Sequence, residues 1–103
     1  MPATFINLYD RDAELDVDYY LNTHMPLVQK LLGPSVVLSW KLWKLPDDSP
    51  FSYEGEVTWA SIEAREAALK SNEGLQCKED LRNFVKKPAM VLLRQYVGSG
   101  PDN

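Results

Sequence analysis

The sequence has one cysteine, one histidine and no long apolar run. Cys77 alone cannot close an internal disulfide, and with His24 as the other soft ligand there is no Cys/His set at zinc-binding spacing. No metal is therefore expected. No apolar stretch approaches the ~20 residues that span a bilayer, so no membrane partner is expected either. Basic charge is also short, with 11 Lys and Arg against 15 Asp and Glu and a net charge of −4. Nucleic-acid binding needs a basic stripe to neutralise phosphates, which excludes that class. The pairs Lys41/Lys44 and Lys86/Lys87 read as solvated edges. "MPATFINLYDRD" has neither a basic head nor an apolar core, so no signal peptide is expected and the chain reads as cytoplasmic. Repeats and low-complexity tracts are missing too.

What is present is an ordinary globular composition, 45% hydrophobic and 25% charged over 103 residues, the size of one domain. Residues 1–103 read as a single domain, with "GSGPDN" (98–103) as a flexible tail. "ATFINLY" is a β-rich run ended by the polar turn "DRDAEL". Asp16 can cap a helix whose stripe is Val17, Tyr20, Leu21, His24, Val28 and Leu31, and Gly33-Pro34 stops it. "VVLSWKLWKL" is a strand, "PDDSPFSYEG" a polar connection and "GEVTWA" an antiparallel return. Ser61 can cap "IEAREAALKS", a helix with Gly74 near its end. "LQCKEDLRNFV" is a further helical turn or two, and "PAMVLLRQYV" is the last strand. Within "LQCKEDLRNFV", Cys77 lies on the apolar stripe with Leu81, Phe84 and Val85, as a small hydrophobe. The charged residues of these later helices, Arg65 and Asp80 among them, read as a solvated face.

The order is β-α-β-β-α-β, an α+β ferredoxin-like pattern with one antiparallel sheet and helices on one face. Ala89, Val91 and Leu93 alternate with Met90, Leu92 and Tyr96. In the second strand, Val37, Trp43 and Leu45 oppose Val36, Leu38, Trp40 and Leu42. A sheet apolar on both faces needs a second cover, and an identical subunit placed sheet to sheet is the natural one. A homodimer is expected. A chain of this size buries only about two-thirds of its unfolded surface by itself.

The stretch "YYLNTHMPLV" (19–28) sets the lone histidine two residues before a proline. Pro26 has no N–H for the carbonyl of Asn22 and its ring crowds that carbonyl, so the helix should loosen there. A single histidine on an apolar helix face is commonly a satisfied core residue. The case for chemistry is co-occurrence: an ionisable ring at His24, a phenol one turn away at Tyr20, the amide of Asn22 and a broken backbone ladder. A buried imidazole stays neutral and accepts a proton near pH 7, and a phenol can donate to a carbonyl oxygen gaining charge.

"DVDYYLNTHMPLVQKLLGP" (16–34) resembles the first-helix signature of the EthD-type family, matching it at Asp16, Asp18, Tyr19, Tyr20, Asn22, His24 and Pro26. The resemblance extends loosely over the remaining chain in length and strand order. The linker "KLPDDSPFSYEG" and Arg94 match nothing diagnostic. It implies a dimeric α/β barrel with a pocket between helices and sheet. The family takes its name from an accessory protein of microbial ether degradation, and similar proteins accompany aromatic polyketide pathways. The wider superfamily includes cofactor-free cyclases and monooxygenases as well as haem-dependent enzymes. The implied activity is a cofactor-independent lyase or cyclase reaction, meaning decarboxylation, dehydration or aldol cyclisation, on a small aromatic or polyketide-like carbonyl compound. His24 would be the general acid/base and Tyr20 its catalytic partner. Asn22, Tyr19, Phe5, Trp40, Trp59 and Tyr96 would contact the substrate, and no cofactor is expected. The alternatives are a non-catalytic small-molecule binding or accessory protein, or a haem protein with His24 as ligand.

Overall fold

In a computed structural model describing residues 1–101, an antiparallel sheet carries all of its helices on one face. The expected tail over 98–103 thus ends in Asp102 and Asn103, which lie outside the described residues. The strands are β1 (Ala3–Asp10), β2 (Val37–Lys44), β3 (Phe51–Trp59) and β4 (Met90–Arg94), in spatial order β2-β3-β1-β4. This is the ferredoxin-like arrangement read from the sequence.

The helices follow from their caps. Asp16 accepts the Tyr19 amide at 3.1 Å and starts α1 (Val17–Tyr19). The chain then widens into a π turn over Tyr20–His24 before α2 (Met25–Leu32). Across it the Met25 amide bonds to the Tyr20 carbonyl. The loosening expected at Pro26 takes this form: a wider turn accommodates the proline ring, and the ladder resumes on its far side. Gly33, at φ 90°, ends α2.

Three boundaries differ from the sequence reading. β3 begins at Phe51, so half of the expected connection "PDDSPFSYEG" is strand; Phe51 to Tyr53 pair with the end of β1 and the start of that strand is half-buried. The helix expected over "IEAREAALKS" is α3 (Ile62–Lys70), capped by Ser61, but Gly74, expected near its end, belongs to the next helix. Ser71 then caps α4 (Asn72–Asp80), where Gly74 sits in the first turn. A Cβ on Gly74 would lie 2.0 Å from the Ala68 carbonyl oxygen, so only glycine admits this close α3–α4 corner. The expected last strand is shortened to five residues.

A register irregularity between Val37 and Ser39 changes which residues share a face. Val37, Trp40 and Leu42 pair with Trp59, Val57 and Gly55 and face the helices, whereas Ser39, Lys41 and Trp43 face away. Strict alternation had set Val37 with Trp43. The helix-side core consists of Phe5, Tyr9, Tyr20, Met25, Val28, Val37, Val57, Trp59, Cys77 and Phe84. On the opposite face, Trp43, Met90 and Leu92 are 50%, 52% and 46% exposed.

Candidate functional site

His24 is buried, with the residue 6% exposed. Its Nδ1 lies 2.9 Å from Asp80 Oδ2, and that carboxylate is itself 12% exposed. The other carboxylate oxygen accepts the Tyr19 hydroxyl at 2.7 Å and the Asn83 amide nitrogen at 2.9 Å. Asp80 is thereby held on both oxygens. Phe84 wedges against the imidazole with centroids 4.3 Å apart and stacks on Tyr19 at 5.6 Å.

The segment carrying Asp80 is fastened to the start of the first helix. The Asp16 amide donates to the Phe84 carbonyl, and the Lys86 amide to the Ala13 carbonyl. Lys86 pairs with Glu14, and Lys87 with Asp10 and Asp12. These lysines, read as solvated edges, cross-link two distant segments.

Burial lowers the His24 pKa and outweighs the hydrogen bond and charge of Asp80, which act to raise it. Burial pushes the Asp80 carboxyl up, yet the hydrogen bonds from Tyr19, His24 and Asn83 and the His24 charge leave it below its ordinary value. Near neutral pH the pair is thus an ionised carboxylate facing a neutral imidazole. Asp80 can only accept in that state, so Nδ1 carries the proton and Nε2 the lone pair. Nδ1 makes the ring's hydrogen bond. Among the described residues two fully enclosed side-chain polar atoms lack a partner, the Tyr20 hydroxyl and Arg65 Nε, and His24 Nε2 is not among them.

Tyr20 is 1% exposed and its ring meets Tyr9 and Trp40 edge-on, at 6.3 and 5.9 Å. Burial raises its pKa strongly and raises that of Tyr9 to about 12. Its hydroxyl sits 3.0 Å from where a Gly55 Cβ would lie, so the missing side chain makes room for the phenol. The His24 and Tyr20 rings are 6.2 Å apart.

The expected site residues therefore separate. His24, Tyr20 and Tyr19 converge, and Trp40 borders them. Tyr19 is committed to Asp80 and acts there as a positioning group. Phe5 and Trp59 lie on the same sheet face but beneath Arg65, whose guanidinium carbon is 3.9 Å from the Phe5 centroid and 5.7 Å from that of Trp59. Two others stand apart from that cluster. Asn22 is exposed on the outer side of the π turn. Tyr96 lies beyond β4, is 81% exposed, bonds to Ser99 and borders an open surface concavity away from His24.

Asp80 and Arg65 were both misread as solvated. The missed signal for Asp80 is its spacing, three residues after Cys77 and four before Phe84, which sets it on the buried stripe. Nothing in the local pattern singled out Arg65. Two surface concavities lie apart from His24. One is near 340 Å³ and lies between α2 and α3, and the other is near 530 Å³ and is formed by Pro2, Thr4 and Arg94–Gly98. In the single chain the imidazole is buried but its Nε2 is not fully enclosed. Among the described residues no group of three His, Cys, Asp or Glu could hold a metal ion, and no helix is long and apolar enough to cross a membrane.

The fold, an antiparallel sheet covered on one face by helices, has counterparts among solved structures. An EthD-like protein from Ralstonia eutropha superimposes with a TM-score of 0.78 at 22% identity, over 99% of this chain and 97% of that one. An EthD family protein from Bacillus halodurans gives 0.70 at 23%, over 94% and 100%. SnoaB, a cofactor-independent oxygenase from Streptomyces nogalater, gives 0.65 at 16%, over 98% of each chain. No family model matches the chain, and no curated protein matches it in sequence. The chain has the EthD-like fold, in agreement with the resemblance carried by residues 16–34.

Proposed function

We propose that this protein is a cofactor-independent acid–base enzyme, a lyase or cyclase acting on a small aromatic or polyketide-like carbonyl compound. The observation that carries the reading is the buried His24–Asp80 pair, with its proton held on Nδ1 and Nε2 left free. Such a pair accepts a proton at Nε2 while Asp80 steadies the imidazolium that forms. The proton comes from a carbon flanked by carbonyls. The electron pair moves into the substrate's own carbonyl as an enolate, and the unpartnered Tyr20 hydroxyl donates to that oxygen. In aldol closure the enolate carbon attacks a second carbonyl and His24 returns its proton to the new alkoxide. In decarboxylation the substrate acid's proton passes to Nε2, CO₂ leaves its electrons in the enolate, and His24 delivers that proton to carbon.

The imidazole is buried against Phe84, so entry of a substrate-sized molecule requires the Phe84 segment to move or the assembly to open a path. The same reading makes the protein a cytoplasmic homodimer, with Trp43, Met90 and Leu92 covered by a second copy. The neighbouring folds support this direction in a coarse sense only, since SnoaB is a cofactor-independent oxygenase on the same scaffold. The buried ring also favours one second reading, a binding or accessory protein in which the pair is purely structural.

The test is turnover of aryl β-keto acids and poly-β-ketone mimics, followed by mass spectrometry, in wild type and in His24→Gln. Product formation that falls at least ~100-fold in the variant, with the fold intact, supports the catalytic reading. Equal turnover in both removes His24 from the reaction. Ligand retention without product identifies the binding protein.

A further inference from the structure

The imidazole of His24 is covered by a stretch of chain that is neither helix nor strand. Residues 84–89 run irregularly between the turn that ends at Asn83 and the start of β4 at Met90. Phe84, 3% exposed, is the member that lies against the ring. Two backbone hydrogen bonds hold the stretch down, from the Asp16 amide to the Phe84 carbonyl and from the Lys86 amide to the Ala13 carbonyl. Its other ties are ionic. Lys86 Nζ is 2.7 Å from Glu14 Oε2, and Lys87 Nζ is 2.8 Å from Asp10 Oδ2 and 3.1 Å from Asp12 Oδ1. All five of these side chains are at least 41% exposed.

The acidic side of this junction is the anchored one. Ala13 is fully buried, and Arg11 donates to the carbonyls of Pro46 and Ser49, which ties the turn to the β2–β3 connection. Glu14 keeps a left-handed backbone at φ 49°, a conformation that persists only where its surroundings dictate it. The yielding side is therefore 84–89, which leads into an edge strand. Exposed ion pairs are individually weak and are screened by salt, whereas the packing of a buried ring is not. Closure over His24 thus combines a contact that ignores salt, Phe84, with ties that respond to it.

We propose that residues 84–89 are a strap over His24 that opens by local release, with the Lys86 and Lys87 ion pairs as its latch, so that access to Nε2 is set by ionic strength. Opening lifts Phe84 from the imidazole while Asp80, in α4, stays on Nδ1. This rests on the reading of His24 as a group that a substrate must reach, and adds how that access is controlled.

Because the chain has a single histidine, carbethoxylation by diethyl pyrocarbonate near neutral pH, followed by the absorbance of the modified imidazole, reads access to His24 alone. Taken relative to N-acetylhistidine, the wild-type rate should rise about threefold or more between ~0.05 and ~1 M sodium chloride. The double variant Lys86→Gln/Lys87→Gln should react about threefold or more faster than wild type at low salt and respond little to further salt. Lys70→Gln/Lys78→Gln, the same loss of charge at exposed helix positions, should behave as wild type. In hydrogen exchange the Asp16 and Lys86 amides should lose protection in the latch variant while amides in the middle of β3 keep theirs. Thermal melts establish that each variant is folded, and the wild-type salt series carries the test if the latch variant is not. A wild-type rate indifferent to salt, a latch variant no faster than wild type, equal acceleration in Lys70→Gln/Lys78→Gln, or unchanged exchange at both amides would overturn the proposal. A salt-dependent rate in a protein that turns over no carbonyl compound keeps the strap and removes the catalytic reading. Turnover with a salt-independent rate does the reverse.

Discussion

His24 is the chain's one histidine, so its ring resonances can be followed by NMR without ambiguity. Long-range nitrogen correlation should show the proton on Nδ1 and a pKa below the ordinary 6.5, because burial outweighs Asp80. If activity needs the neutral ring, the acid limb of kcat/KM also falls below pH 6.5. Asp80→Asn removes the hydrogen bond and charge that raise the His24 pKa, so the limb should move to still lower pH. The rate should fall by about 100-fold or more, because the amide no longer holds one tautomer. A limb that moves upward would mean that Asp80 is not the group facing the ring. Tyr20→Phe offers a complementary test. The phenol's oxygen is enclosed and unpaired, so deleting it should leave stability unchanged or raise it by about 1 kcal/mol. Turnover should fall at the same time. A lower melting temperature would instead reveal a partner for the hydroxyl.

At the scale of elements, two local irregularities build the site. The π turn over Tyr20–His24 was half legible: Pro26 announced a disturbed ladder, but whether it would break, kink or widen depended on the sheet beneath. The Ser71–Gly74 corner was half legible: a break between two helices was expected there, but Gly74 was set near the end of the first helix and lies instead in the first turn of the second. The corner turns α4 back so that Asp80 meets His24. Gly74→Ala drives a methyl into the Ala68 carbonyl, backbone that cannot yield as a side chain does. The expected loss is about 1–3 kcal/mol. Thermal melting reads this as roughly 4 °C or more, and an unchanged melt would mean that the corner tolerates a side chain.

For the whole molecule, the pair fixes how stability varies with pH. Folded His24 has a lowered pKa, so below pH 6.5 the unfolded chain binds the proton more readily and stability falls with acid. Asp80 is also lowered, so it adds a second loss as pH drops below 3.8. Both act in the same direction, and neither changes stability above neutrality. Chemical denaturation from pH 8 to pH 4 should show a decline that His24→Gln reduces. The uncovered sheet face gives a second outcome at this scale. A charge at Trp43 or Leu92, such as Leu92→Asp, should turn a homodimer into a monomer on light scattering, because it would lie in a dry sheet-to-sheet contact. Wild type that already runs as a monomer would remove the dimer from the proposal.

Local chemistry by itself determined the element order, the Asp16 and Ser61 caps, the stop at Gly33 and the inward turn of His24 and Tyr20, because periodicity and capping act within a few residues. Only the tertiary structure decided which carboxylate meets the imidazole and which arginine lies over Phe5. Those pairings join residues 56 and 60 positions apart in the chain. They depend on a shifted strand register and a tight helix corner, where one residue's displacement turns a side chain from water to core.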